Sequence, residues 1–132
     1  MLDRDQLETF ATVAEAHSFE RAAALLNITR GAVSQRIKAL EESLTTVLLV
    51  REKPVVPTAA GEVLRALKAN HVVCLLSDRD IIGDGVELEF FGETTTLPAG
   101  PATLALRTGA RLLPVGCYFE GSHGHHAVVQ PP

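Results

Sequence analysis

Apolar residues recur every three or four positions through the first forty-odd residues of the chain. In DRDQLETFATVAEAH, Leu7, Phe10, Val13 and Ala14 fall at i, i+3, i+6 and i+7, which predicts one amphipathic helix with acids in its first turn. Ser18 stands where an N-cap belongs, its hydroxyl able to accept a first-turn amide proton, and Phe19, Ala22, Ala23 and Leu26 then line one side of a second helix. The alanines let another helix approach closely. Asn27-Ile28-Thr29 breaks the pattern, and Thr29 caps a third helix in which Val33, Ile37, Leu40 and Leu44 recur at i, i+4, i+7 and i+11. Three short helices around one core are the expected result.

The pattern changes further on. Thr58 is placed to cap a helix reaching about Ala66, and the β-rich run His71-Val72-Val73-Cys74-Leu75-Leu76 ends it. Strand, turn and helix signals then follow closely: HVVCLLS, DRDIIGDG, VELEFF, GETTTLPAGP, ATLALRTGA, RLLPVGCYF, a Gly/His turn and HHAVVQ. They predict an α/β piece of about four strands and one helix, its sheet left with an exposed edge. Cys74 and Cys117 lie in the apolar runs VVCLL and LLPVGCYF, which predicts buried, reduced thiols with no metal spacing and no disulfide.

Composition narrows the class. The 132 residues are 46% hydrophobic and 21% charged, with no apolar run long enough to span a bilayer, which fits a globular chain of one domain or two minimal units. The N-terminus lacks the basic-then-apolar order of a signal peptide, so a cytoplasmic location is expected. The net charge of −4 is unevenly spread: residues 1–69 hold nine Lys/Arg and nine Asp/Glu, whereas residues 70–132 hold three and seven. Between Arg30 and Lys53, five cations face three acids, Glu41, Glu42 and Glu52, enough for a local basic surface.

At ~100° per residue, Gly31, Ser34, Gln35 and Lys38 project from the third helix opposite its apolar stripe. On an isolated helix such a face is ordinarily just solvated. The short helix–turn–helix spacing ahead of it, with Ala22 and Ala23 at the crossing, favours a helix laid in a major groove, Ser and Gln reading base edges and Lys pairing a phosphate. The stretch SFERAAALLNITRGAVSQRIKALE resembles the helix-turn-helix of LysR-type transcriptional regulators, and VLLVREKPVVPTAAG is similar to the wing and linker-helix start of the branch that controls lysine and arginine export. That resemblance implies that Thr29, Arg30, Ser34, Gln35 and Lys38 touch double-stranded DNA and that Arg51 in the wing reaches a neighbouring phosphate. Thr45 departs from it, standing where the family usually has glycine. The family continues through a long linker helix that pairs two subunits. Here the β-rich run cuts that helix short, so only a weak homodimer through it is expected.

A second resemblance covers the rest. SDRD, FFGE and LPAGPATLALRTGARLLPV are similar to the lauroyl-type lipid A and phosphatidylinositol mannoside acyltransferases, and FFGE with PAGPA is closer to the mannoside branch. Members of that family use a His-x4-acid motif as general base on an acceptor hydroxyl attacking an acyl thioester. No histidine of this chain has an Asp or Glu five positions later. Glu93 matches the supporting acid, but a carboxylate without its base cannot run this chemistry. Asp78, Arg79 and Asp80 read better as a self-paired turn than as a site, and His123, His125 and His126 better as an exposed hairpin turn than as a metal site, with Glu120 the only carboxylate near.

The segment GEVLRALKAN suits both neighbours, which puts a seam at about Leu64 to Leu67, inside one helix. The expected architecture is α+β: an all-α winged helix-turn-helix over residues 1–63, then a truncated α/β acyltransferase-like fragment over 64–132. The expected function is sequence-specific DNA binding of LysR type without an effector domain, with no enzyme activity, cofactor, metal or bound membrane lipid. The alternatives are an acyltransferase remnant and a non-functional chimera, natural, misassembled or designed.

Overall fold

A computed structural model of the chain describes residues 2–81, 83, 85–122 and 124–132. Three helices form first, α1 (Arg4–Ala16), α2 (Phe19–Leu26) and α3 (Arg30–Leu44). Each opens on a side-chain cap: Asp3 accepts from the Gln6 amide at 3.0 Å, Ser18 from Arg21 at 3.3 Å and Thr29 from Ala32 at 3.1 Å. Each also closes on a left-handed residue, His17, Asn27 and Thr45, all with φ of 53°. The chain then makes a small antiparallel wing of β1 (Leu49–Val50) and β2 (Val56–Pro57), paired Leu49↔Pro57 and Val50↔Val56, and enters α4 (Ala59–Lys68).

Thr58 caps α4 as its position predicts. Its Oγ1 accepts from the Gly61 amide at 3.1 Å and donates to the Val47 carbonyl at 2.7 Å, so one hydroxyl starts the helix and ties it to the wing. The helix runs unbroken past Leu64, two residues beyond its expected end at Ala66.

The stripes read from the sequence become the core. Phe10, Val13, Val33, Ile37, Leu40, Leu48, Leu49 and Leu64 are at most 1% exposed and pack in a single cluster with Phe19, Ala22, Leu44 and Val55. Each fully buried Leu, Ile or Phe contributes about 1.5–3 kcal/mol relative to an exposed one. Among the described residues every buried hydrophobic lies between Leu2 and Leu64.

Beyond α4 the structure departs from the expected sheet. The run from His71 to Leu76 is not a strand: residues 71–80 have no helix or strand, and Val72 and Leu76 are 89% and 96% exposed. A β-prone run becomes a strand only where a neighbouring strand's N–H and C=O groups lie within reach, and among the described residues no strand pairs with this one. For the same reason Cys74 is exposed, and Cys117 is exposed on a hairpin, contrary to the buried thiols expected. The remaining strands form two separate antiparallel hairpins instead of one sheet: β3 (Val86–Phe90) with β4 (Glu93–Leu97), and β5 (Val115–Glu120) with β6 (Gly124–Val129). The first turns through Phe91 and Gly92, whose φ values of 52° and 83° follow the type I′ pattern of two-residue loops.

Between the hairpins, α5 (Gly100–Thr108) starts with Pro101 in its first turn and rests against α3 and α4, and the Arg107 carbonyl accepts from the Leu2 amide at 3.1 Å. The whole is an all-α bundle with a wing, followed by a mixed α/β segment.

Candidate nucleic-acid interface

Burial of Val33, Ile37 and Leu40 fixes the rotation of α3 and so decides which residues face outward. Gln35 and Lys38 are exposed and Ser34 is half-buried at the edge of the stripe, placing the three on the free side as the helical angles predict. Thr29 and Arg30 begin the same helix. The Thr29 hydroxyl oxygen accepts the Ala32 amide proton and keeps its own proton to donate, and Arg30 pairs through Nε with Glu20 at 3.2 Å.

Glu20 is drawn into this corner. Its carboxyl is held below the usual range by its own backbone N–H at the start of α2, then by the Ser18 hydroxyl at 3.0 Å, and further by the charges of Arg30 and Lys53.

The cations between Arg30 and Lys53 do not form one open basic patch. Arg36 turns inward to α1, reaching Asp5 at 3.0 Å and the buried Thr9 hydroxyl at 3.3 Å, and so joins the two helices. Lys38 meets Glu42 at 3.7 Å, both well exposed, a pairing worth about 0.3–0.5 kcal/mol. A phosphate can displace so weak a partner. Arg51 is held more firmly: Nη2 lies 2.9 Å from Glu41, whose side chain is only 12% exposed, and its guanidinium carbon lies 5.7 Å from the centre of the Phe19 ring. The wing arginine is thus pre-positioned, and a phosphate reaching it must share it with Glu41.

Two residues that organise this surface were not singled out from sequence. Glu41 accepts from the Leu48 amide at 2.8 Å and the Leu49 amide at 3.3 Å through Oε1 while Oε2 holds Arg51, so one carboxylate pins the wing to α3. His17 exchanges two bonds with Val55, the Val55 amide donating to the His17 carbonyl at 3.1 Å and His17 Nδ1–H donating to the Val55 carbonyl at 2.9 Å. The only trace of either in sequence is a polar residue next to an apolar stripe, which is common on any helix.

The candidate residues of the second half do not converge. Arg79 pairs with Asp78 at 3.5 Å, both exposed, and the Asp80 carboxylate accepts from the amides of Gly83 at 2.8 Å and Gly85 at 3.0 Å, an arrangement that orders a loop. Glu93 is exposed at the start of β4, opposite Phe90. Of the three closely spaced histidines, His123 lies outside the described residues. His125 and His126 stand on β6, against Phe119 and Tyr118 respectively, and His126 approaches Glu120 at 3.9 Å. Among the described residues no three metal-ligating side chains gather.

A capped helix pair, a third helix with a polar outer face and a wing clasped to it define the first half as a winged helix-turn-helix head. Residues 4–62 match the model of the bacterial regulatory helix-turn-helix proteins of the lysR family, and this part of the chain is a LysR-type DNA-binding domain. It is similar to the HTH-type transcriptional regulator LysG of Mycobacterium tuberculosis (strain ATCC 25618 / H37Rv), 52% identical over 68 residues, covering 52% of this chain and 22% of the relative. The crystal structure of ArgP from Mycobacterium tuberculosis superposes with a TM-score of 0.51 at 50% identity over 53% of this chain and 27% of that one.

The domain is fused to a segment resembling another family. The phosphatidylinositol mannoside acyltransferase of Mycobacterium tuberculosis (strain CDC 1551 / Oshkosh) is 49% identical over 73 residues, 51% of this chain and 23% of the relative. The chain spans about a quarter of the length of each of these relatives. No helix among the described residues is long and apolar enough to cross a membrane.

Proposed function

We propose that the chain binds double-stranded DNA in the cytoplasm through its head, with α3 in the major groove. The observation that carries this reading is the outer face of α3, where Ser34, Gln35 and Lys38 are free of the core while Val33, Ile37 and Leu40 lock the helix from behind. Ser34 and Gln35 read base edges, and Lys38, with Thr29, Arg30 and Arg51, engages phosphates. One head touches few base pairs, and α4, ten residues long and bordered by α5, offers little for pairing two heads. Binding is therefore weak and strongly salt-dependent.

Fluorescence anisotropy on a labelled AT-rich duplex across a salt series tests this. Lys38→Ala weakens binding on all sequences alike and lowers the salt slope by about one. Ser34→Ala and Gln35→Ala instead change the preference among operators. An unchanged salt slope in the lysine variant removes α3 from the groove.

The same reading gives residues 70–132 no acyl-transfer activity, since the chain has no His-x4-acid pair and Glu93 stands exposed on a hairpin. Purified protein with acyl-CoA and a mannosylated lipid acceptor should release no free thiol. Turnover abolished by Glu93→Gln would overturn this assignment.

A further inference from the structure

The three cations that meet phosphates in the DNA reading each already hold a carboxylate. Arg30 Nε lies 3.2 Å from Glu20, Lys38 Nζ 3.7 Å from Glu42 and Arg51 Nη2 2.9 Å from Glu41. The three acids are not alike. Glu41 is only 12% exposed and also takes the Leu48 and Leu49 amides, so it serves the structure of the wing. Glu20 and Glu42 have exposed side chains. Among the described residues the Glu42 carboxylate meets no polar group but Lys38, and Glu20 meets Arg30, the Ser18 hydroxyl and its own backbone amide. Exposed pairs of this kind add little to stability, so their place on the face matters more than their share in the fold.

The charge of the head is balanced in the same way, with nine Lys/Arg against nine Asp/Glu over residues 1–69. A duplex approaching it meets no net positive charge to draw it in. Each phosphate contact made by Arg30 or Lys38 replaces one anion by another at the same guanidinium or ammonium group, and the exchange gains little by itself. Affinity then depends on what Ser34 and Gln35 add at base edges.

We propose that Glu20 and Glu42 set the DNA affinity of the head by holding Arg30 and Lys38 as internal stand-ins for phosphate, which keeps binding weak on any duplex that offers the α3 face no base contacts. This role rests on α3 occupying the major groove. It belongs to the two exposed acids and not to Glu41, whose loss would also release the wing. Glu20 sits at the start of α2, close enough to Lys53 for the two charges to attract, so its carboxylate offsets a wing-tip cation as well as Arg30. Glu42 lies one helical turn beyond Lys38 on α3 and restrains the lysine along the helix.

Fluorescence anisotropy of the full chain on two labelled duplexes of equal length, one AT-rich and one GC-rich, tests this across a salt series. Glu20→Gln and Glu42→Gln keep the side-chain shape and remove only the charge. Each should tighten binding about two- to fivefold on both duplexes at low salt and steepen the salt slope by up to about one. The gain should fade toward wild type at high salt, where exposed charges are screened. Glu87→Gln with Glu89→Gln, on exposed positions of β3, changes the net charge away from the head and should leave binding near wild type. Circular dichroism reports folding, and an acid with a merely structural role would on removal lower the unfolding midpoint and loosen binding instead of tightening it. A wild type whose salt slope depends on Lys38, with affinity unchanged or lowered in both glutamine variants, overturns this inference and leaves the DNA reading standing. A gain matched by the β3 variant assigns the effect to net charge and also overturns it. A slope indifferent to Lys38, or no binding by any form, overturns the DNA reading and this inference with it.

Discussion

Thr45 holds a φ of 53° at the end of α3, where its amide bonds back to the Glu42 carbonyl at 3.2 Å. A β-branched residue is poorly suited to this left-handed conformation, which costs an ordinary L-residue roughly 1–2 kcal/mol and glycine nothing. The glycine that the resemblance leads one to expect here would meet this geometry without strain, and the threonine forms the turn at a penalty. Thr45→Gly should raise the urea midpoint of the head by the equivalent of about 1 kcal/mol, less what the freer unfolded chain loses, and leave DNA affinity unchanged. A lowered midpoint would mean that the Thr45 side chain holds something its backbone angles do not reveal.

At the scale of elements, the wing and α4 are joined through backbone proximity as much as through side chains. Gly61 in the first turn of α4 lies so close to the Leu48 carbonyl that a Cβ there would collide with backbone oxygen, and the Pro57 ring stands 3.1 Å from the same point. Backbone cannot step aside as a flexible side chain can. Gly61→Ala, which on an exposed helix would stabilise, should here cost about 2–3 kcal/mol, measured by thermal unfolding, because either the wing or the helix must move. The same element is where the sequence reading sets the seam between the two resemblances. Thr58 starts α4 from the first half, Leu64 anchors it in the core, and Arg65 and Lys68 near its C-terminus suit the helix dipole as the chain leaves for the second half.

Over the whole molecule, stability is concentrated at one end. The buried hydrophobics among the described residues all belong to residues 2–64, and the segment from His71 to Asp80 joins this core to two hairpins without regular secondary structure of its own. Exposed backbone with few contacts opens first. Limited proteolysis should therefore cut between about Asn70 and Ile81 before anywhere else and release a resistant head ending near Lys68, identified by mass spectrometry. A first cut inside α2 or α3 would place the weak point in the head and contradict this distribution of the core.

Sequence alone determined what depends on near neighbours along the chain. The stripes of α1 to α3, the caps Ser18, Thr29 and Thr58 and the outward set Ser34, Gln35 and Lys38 follow from helical spacing, and the structure places each of them accordingly. What depended on distant partners was decided by the tertiary structure. Glu41 reaching the wing, Arg36 turning inward to Asp5 and His17 joining Val55 link residues that no local pattern relates. The second half shows the same limit from the other side: VVCLL has the composition of a buried strand and Cys117 sits in an apolar run, yet Val72, Cys74, Leu75, Leu76 and Cys117 are exposed. Strand propensity and hydrophobicity state what a segment can bury, and burial itself requires another surface to bury it against. The head supplies that surface within one short stretch of chain, and the two separate hairpins do not.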